Sequence, residues 1–531
     1  MTANGPKGDS QASGGFHPER LIAESMAELL GTACREHAGR NAYSCVLPSG
    51  MAASLSFEAL ESHADALAFY LREELGLAPG EVVAIQAPNV LGFPIAAYAV
   101  LKAGLVFTGI NPLFTAAETN YQLRDSGAKA LFVIDFFAGR LREALAGTQL
   151  RHVIRLSLAD FFPAPKRALV QTMLKYRQRR VPKMPVPAHA LPDAVRAGRR
   201  RQGGRDVREL AAARGLDDPA IYQYTGGTTG RPKGAELTER NLLANITQQD
   251  AFTGELLRRH RSENETSLLV LPLYHVYALA IGAMHAMRQG THLVLIPQPR
   301  PLRNLKPAFE RFAITMLPGI NTLYAGLLQE DWFLANPPAS LKWCFSGAAP
   351  LSPSVYERWR EVTGCHIHEG YGLTEGTCIV SSSPLDERAK PGSVGMPIPG
   401  TQIRIVGADG ADQPPGSPGE IWVRGPQVMR GYLGRPEDAG ETFEGDWLKT
   451  GDVGYRDEDG FLYIVDRKKD MLLVSGFNVY PAEIEAALAA HAQILEAAVV
   501  GVPDERLGEA PWAFVVPREA GALTEADLKA H

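Results

Sequence analysis

Eight short runs rich in β-branched, leucine and aromatic residues punctuate the chain: EVVAIQA, KALFVI, HVIRL, AIYQYT, TSLLVLPL, THLVLIP, ITMLPG and LKWCFSG. Each is too short for a stable helix, and stretches with helical spacing separate them. Strands of this kind are buried on both faces, so the alternation predicts an α/β fold with parallel sheets flanked by helices. With 531 residues, 45 % of them apolar, the chain has material for a large core and for more than one domain.

The helix boundaries are chemically marked. Thr115 and Glu118 have the spacing of a capping box, Ser352 precedes Pro353 at a first helical position, and Gly364 closes that helix. The most membrane-like stretch, LGFPIAAYAVLKAGLVFTGI, is interrupted by Pro94, Lys102 and Gly104, which favours a buried helix followed by a strand over a membrane span. Past about residue 400, Asp409-Gly410 and Asp459-Gly460 mark hairpins around EIWVRG and FLYIVDR, predicting a β-rich subdomain that ends near Asp466. From 471 to 531 the pattern is a helix in PAEIEAALAAH, strands in LEAAVVGV and WAFVVP, and a helix that begins at Thr524.

A net charge of -5 gives no overall reason to expect nucleic acid as a partner. Five cysteines without a C-x-x-C pair argue against a disulfide framework or a zinc knuckle and suit a reducing, cytoplasmic setting. The opening MTANGPKGDSQASGG is polar, lacks the apolar stretch of a secretory signal, and predicts a disordered leader over 1–29. Residues 166–183 hold seven basic residues and no acid, with Leu169, Val170, Met173 and Leu174 at helical spacing. Such a helix either lies on an anionic membrane or packs its apolar stripe onto the protein, and the sequence leaves both open.

Residues 224–234, YTGGTTGRPKG, place four glycines and three threonines before a lysine. Glycines let backbone amides approach a ligand, hydroxyls add donors and Lys233 adds a charge, a combination suited to a polyphosphate. Pro232 before Lys233 and Gly234 after it break the Walker pattern, so a phosphate site here lies outside the P-loop architecture.

Six further strings follow in order: LPLYHVYAL, SGAAPLS, GYGLTEGT, GEIWVRGPQVMRGYLG, WLKTGDVG and DRKKDMLLVSGFNVYPAEIE. Together with the glycine loop they resemble the adenylate-forming, AMP-binding superfamily, and YTGGTTG with SGFNVYP is most similar to bacterial long-chain fatty acid CoA ligases. The resemblance implies a large adenylation domain over 30–465, a hinge at 466–470 and a small mobile α+β lid over 471–531 that is expected to be incomplete.

It also implies ATP-dependent activation of a fatty acid to an acyl-adenylate and transfer to CoA, releasing AMP and pyrophosphate. The alternatives are loading of a carrier protein, or a non-catalytic nucleotide- or acyl-binding remnant. A carboxylate lacks a good leaving group until it is coupled to AMP, and that step needs charge neutralisation around a triphosphate. By resemblance, Thr225, Gly226, Gly227, Thr228, Thr229, Gly230 and Lys233 wrap the β- and γ-phosphates, and Tyr224, Gly234 and Gly372 also bind the nucleotide. The same resemblance makes Thr374 the α-phosphate contact and Glu375 the Mg²⁺ ligand. It implies that Gly347, Ala348, Ala349 and Tyr371 line the adenine pocket, while Asp452 and Arg467 bind the ribose. It further implies that His275 and Gly476 line the substrate routes and that Lys469 is the hinge residue.

No Ser-His-Asp or Cys-His arrangement is legible, and YALAIGAMHAM reads as core before it reads as an acyl tunnel. Members of the superfamily carry a further lysine late in the lid, and no residue up to His531 matches it. The departure leaves two readings open, a fragment or frameshifted product and a real loss of that function; the expectation for a true 531-residue form is severely impaired ATP–pyrophosphate exchange.

Overall fold

The computed structural model describes residues 20–177, 181–225, 231–254, 256–257, 265–474, 477–489, 491, 493–504, 508–518, 524 and 528. Most of the leader and most of the helix expected from Thr524 thus lie outside the described residues. All eight β-branched runs form strands. Four enter a seven-stranded sheet whose order is His189–Ala190, His152–Leu156, Ala130–Ile134, Val82–Gln86, Val106–Gly109, Pro219–Thr225 and Lys233–Thr238. Its neighbours run parallel except for the last pair, an antiparallel hairpin.

The other four runs form the middle of a nine-stranded sheet, where Trp343–Ser346, Met316–Gly319, Thr266–Leu269 and His292–Leu295 are parallel neighbours. Antiparallel strands close it at both ends. The main core draws Ile85, Phe107 and Phe132 from the first sheet and Tyr43, Leu269, Leu293 and Leu295 from the second. Between them lies helix Gly92–Lys102, buried along its whole length and followed by strand Val106–Gly109 as expected. Its one charge, Lys102, is neutralised by Asp65 and by Glu61 at 3.6 Å, because an ammonium buried without partners would cost several kcal/mol, about 3 to 5.

Local signals hold where they were read. The Thr115–Glu118 capping box forms at helix Ala116–Asp125. Helix Pro353–Thr363 starts at Ser352 and ends at Gly364, with φ 71° at its C-cap. Strands Gln402–Val406, Gly419–Arg424, Trp447–Arg456 and Leu462–Arg467 build the β-rich sheet, with Gly410 and Gly460 in left-handed turns. A further four-stranded sheet carries helix Pro481–Ala489 and the long hairpin Ile494–Asp504 with Gly508–Pro517.

The basic helix forms over Ala164–Thr172 and continues as a π-helical turn over Met173–Arg177. Its four apolar residues divide: Val170 and Leu174 enter the main core, Met173 is half-buried, and Leu169 points outward, 59 % exposed. No helix among the described residues is long and apolar enough to cross a membrane.

Candidate active site

The glycine loop joins Pro219–Thr225 to Lys233–Thr238, and the hairpin register sets Thr225 opposite Lys233 and Tyr224 opposite Gly234. The loop therefore leaves and re-enters the sheet at one point. Gly226, Gly227, Thr228, Thr229 and Gly230 lie outside the described residues. Gly234 lets the Tyr224 ring lie close, since an added Cβ would stand 3.1 Å from it.

Both ends of the loop are tied to helix Ala116–Asp125. Tyr224 donates from its hydroxyl to Asp125 Oδ2 at 2.7 Å, and Tyr121 donates to the carbonyl of Pro232 at 2.9 Å. Arg435 donates to the Tyr121 hydroxyl at 2.9 Å and stands 3.9 Å from Asp125. Segment 430–433 then lies along the second hairpin strand, with Leu433 N–H donating to Gly234 O at 2.8 Å and Glu236 N–H to Gly431 O at 2.9 Å.

That pairing carries Tyr432 to the loop. Lys233 Nζ stands 5.2 Å from the centroid of the Tyr432 ring and 2.7 Å from Asp438 Oδ2. The Tyr432 hydroxyl donates to Glu375 Oε1 at 2.7 Å, and burial beside that carboxylate raises the Tyr432 pKa. Lys233 and Glu375 thus share one aromatic platform. Thr374 and Glu375 sit half-buried in a short 3₁₀ turn.

The chain around that turn is strained into place. Thr377 has φ 65°, held by its hydroxyl donating to Gln427 O at 2.6 Å. Gly372 approaches the next strand so closely that a Cβ would fall 1.6 Å from Cys378 O.

Asp452 and Arg467 are directly paired across two antiparallel strands, and Arg467 Nε stands 3.3 Å from Asp452 Oδ1. Tyr371, buried, donates its hydroxyl to Asp452 Oδ2 at 2.5 Å. Burial raises the Asp452 pKa, opposed by the Tyr371 hydrogen bond and by Arg467. Tyr371 follows Glu369, whose carboxyl burial pushes up to about 7.

Gly347, Ala348 and Ala349 follow strand Trp343–Ser346, the parallel neighbour of Ile367–Gly372, so both segments emerge at the carboxyl ends of their strands. Ligands of open α/β sheets bind in such crevices. Ala348 is exposed with φ 65°, an unusual conformation for a residue bearing a Cβ.

His275 is exposed at the start of the passage into Tyr277–His285. Gln223 donates to Tyr274 O at 3.1 Å, placing His275 near the strand that leads into the glycine loop. The passage is π-helical, and Ala278, Leu279, Ala280, Ala283 and Met284 are buried in the main core as expected. Lys469 is exposed in the turn after Leu462–Arg467, where Lys468 N–H donates to Gly451 O at 2.8 Å. Asp466 Oδ2 accepts from Ala482 N–H at 3.0 Å, in the first turn of helix Pro481–Ala489. Gly476 lies outside the described residues.

The structure therefore brings Lys233 to Glu375 and Tyr371 to Asp452 and Arg467, in two adjoining corners joined by the 371–375 turn. Sequence reasoning did not single out Tyr432, Asp438, Arg435, Tyr121 or Asp125. Only Tyr432 had a signal, since it stands inside one of the quoted motifs.

A profile described as AMP-binding enzyme matches residues 30–433, and one described as AMP-binding enzyme C-terminal domain matches 483–531. The chain belongs to the AMP-binding enzyme family. The long-chain-fatty-acid–CoA ligase of Yersinia pestis is 41 % identical over 514 residues, spanning 97 % of this chain and 89 % of that protein. The protein of the same name from Bacillus subtilis strain 168 is 35 % identical, spanning 90 % and 83 %.

Among solved structures, ATP-bound MatB from Rhodopseudomonas palustris superposes with a TM-score of 0.79 at 27 % identity, covering 94 % of this chain and 91 % of that one. MenE from Bacillus subtilis, in complex with ATP and magnesium ion, gives 0.70 at 26 % identity, covering 92 % and 90 %. The family member described here shares with them the large parallel-sheet part and the small C-terminal part.

Among the described residues no group of three or more His, Cys, Asp and Glu side chains is arranged to hold a metal. One carboxylate plus phosphate oxygens is nevertheless a normal magnesium environment. Glu375 fits that role, because Tyr432 engages Oε1 and fixes the carboxylate.

Proposed function

We propose that this chain is an ATP-dependent long-chain fatty acid–CoA ligase that works through an acyl-adenylate. The observation that carries the reading is the meeting of Lys233 and Glu375 on Tyr432, because it joins the cation of the glycine loop to the carboxylate of the GYGLTE turn. The relatives named above, long-chain-fatty-acid–CoA ligases at 35 to 41 % identity, supply the substrate class.

Lys233 neutralises the β- and γ-phosphates as pyrophosphate leaves, and Thr374 holds the α-phosphate. Glu375 would hold a magnesium ion, which supplies Lewis-acid stabilisation of the phosphate oxygens. Asp452 accepts from both ribose hydroxyls, and Arg467 and Tyr371 keep its two oxygens aimed. Gly347, Ala348 and Ala349 leave space for adenine. His275 borders the fatty acyl carboxyl, and rotation at Lys469 brings the CoA thiol to the adenylate. Fatty substrate is collected at an anionic membrane face by the exposed Leu169 and Tyr176 beside Lys175.

Incubation with oleate, ATP, Mg²⁺ and CoA tests the reading by mass spectrometry. Oleoyl-CoA with AMP and pyrophosphate is the expected product set. ADP as the nucleotide product, or an acyl group found only on an added holo carrier protein, would overturn it. Sedimentation with anionic vesicles that is no greater than with neutral ones would remove the membrane contact.

A further inference from the structure

The Lys233–Asp438 contact has a geometry that bears on how ATP enters. The two side chains are partly buried, 12 % and 20 % exposed, with Nζ and Oδ2 at 2.7 Å. Yet among the described residues Asp438 Oδ2, itself buried, accepts no hydrogen bond, so the pair is held by charge and little by direction. Asp438 belongs to no loop motif and sits at the end of a one-turn 3₁₀ segment, Pro436–Asp438. The Tyr432 ring, whose hydroxyl is fixed on Glu375 Oε1, underlies the same ammonium.

We propose that Asp438 is a positioning residue that acts as a stand-in anion: it holds the Lys233 ammonium at the mouth of the glycine loop and releases it to the triphosphate. This rests on the assignment of Lys233 to the phosphates. An ammonium left unpartnered on a partly buried aromatic face would swing into solvent or take another carboxylate. Asp438 prevents that at the cost of competing with ATP. The lysine stem is flexible enough to change partners while the Tyr432 face continues to support the charge. Asp438, one-fifth exposed, can take up water when Lys233 leaves.

Competition has a sign opposite to that of structural support. Removing a group that merely props Lys233 weakens ATP binding, whereas removing a competitor strengthens it. An ion pair of this exposure corresponds to a change of about threefold.

The test is equilibrium titration of the whole chain with Mg²⁺ and α,β-methylene-ATP, which binds without transferring its adenylyl group. Wild type, D438N, K233M and the double variant K233M/D438N are compared, with D438S in parallel in case the amide disturbs folding. The expected result is binding about threefold tighter in D438N and D438S, with K233M weaker and the gain from D438N abolished in the K233M background.

Unchanged or weaker binding in both Asp438 variants would overturn the proposal. An equal gain in the K233M background would also overturn it, since the effect would then come from the general field of one lost negative charge. If K233M alone binds as wild type does, the phosphate role of Lys233 falls, and this inference falls with it.

Discussion

The two ends of the proposed nucleotide site are built differently. At the ribose end Asp452 is fixed by the ladder itself: its strand partner is Arg467, its second oxygen is taken by Tyr371, and it is 7 % exposed. At the phosphate end Lys233 emerges from a hairpin onto an aromatic face, with a partly solvated aspartate as its counter-charge. The first end is complete before any ligand arrives. The second is assembled from contacts that a ligand can replace. Under the proposed assignment, such a site would recognise a nucleoside by rigid geometry and admit polyphosphate by exchange of charge.

The largest expected effect breaks the phosphate end. Lys233→Met should lower acyl-adenylate formation about a hundredfold or more, because it removes preorganised charge stabilisation at the departing pyrophosphate. Single-turnover kinetics at saturating ATP check this, and a variant within about twofold of wild type would erase the contrast between the two ends.

Next is the ribose end, where function and stability should fall together. Asp452→Ala leaves a buried Tyr371 hydroxyl without its acceptor, so about 1 to 3 kcal/mol of stability is lost alongside a raised KM for ATP. Chemical denaturation and ATP saturation curves measure the two effects. Loss of affinity with full stability would mean that Asp452 is not a structural keystone.

Tyr432→Phe should have a smaller effect, about tenfold on adenylate formation, because the ring under Lys233 remains while the Glu375 carboxylate loses its donor. An effect as large as that of Lys233→Met would make the hydroxyl, and not the ring, the chief element of the platform.

A further effect, on stability alone, concerns pH. Glu369 lies two residues before Tyr371, and burial pushes its pKa up to about 7. The native state then keeps a proton that the unfolded chain releases near its ordinary carboxylate value. Stability should accordingly fall as pH rises from about 4.5 to about 7, by roughly 1 to 3 kcal/mol, and level off above. Glu369→Gln should flatten that slope in thermal melts taken across the window, and a slope identical to wild type would assign the pH dependence elsewhere.

What the sequence disclosed follows the same division. The eight buried strands were legible because parallel strands covered on both faces are continuous apolar runs. Strand Lys233–Thr238, read as KGAELT, was not, since it lies at the sheet edge and owes its place to pairing with Pro219–Thr225. The π-helical form of Tyr277–His285 was also hidden, because its composition is that of any buried helix.

Motif residues were visible as strings, but their partners were not. Asp438 reads as one acid among several in RPEDAGE, and Tyr121 and Asp125 as ordinary helix residues. Only the pairing of segment 430–433 with the hairpin, and the hairpin's approach to helix Ala116–Asp125, give these residues a role.

The central claim is that one ATP molecule spans both ends, and a crystal structure with α,β-methylene-ATP and magnesium tests it most directly. The expected density has the terminal phosphates within hydrogen-bond reach of Lys233 and the ribose hydroxyls on Asp452. A nucleotide bound elsewhere, or one whose ribose turns away from Asp452, would contradict it.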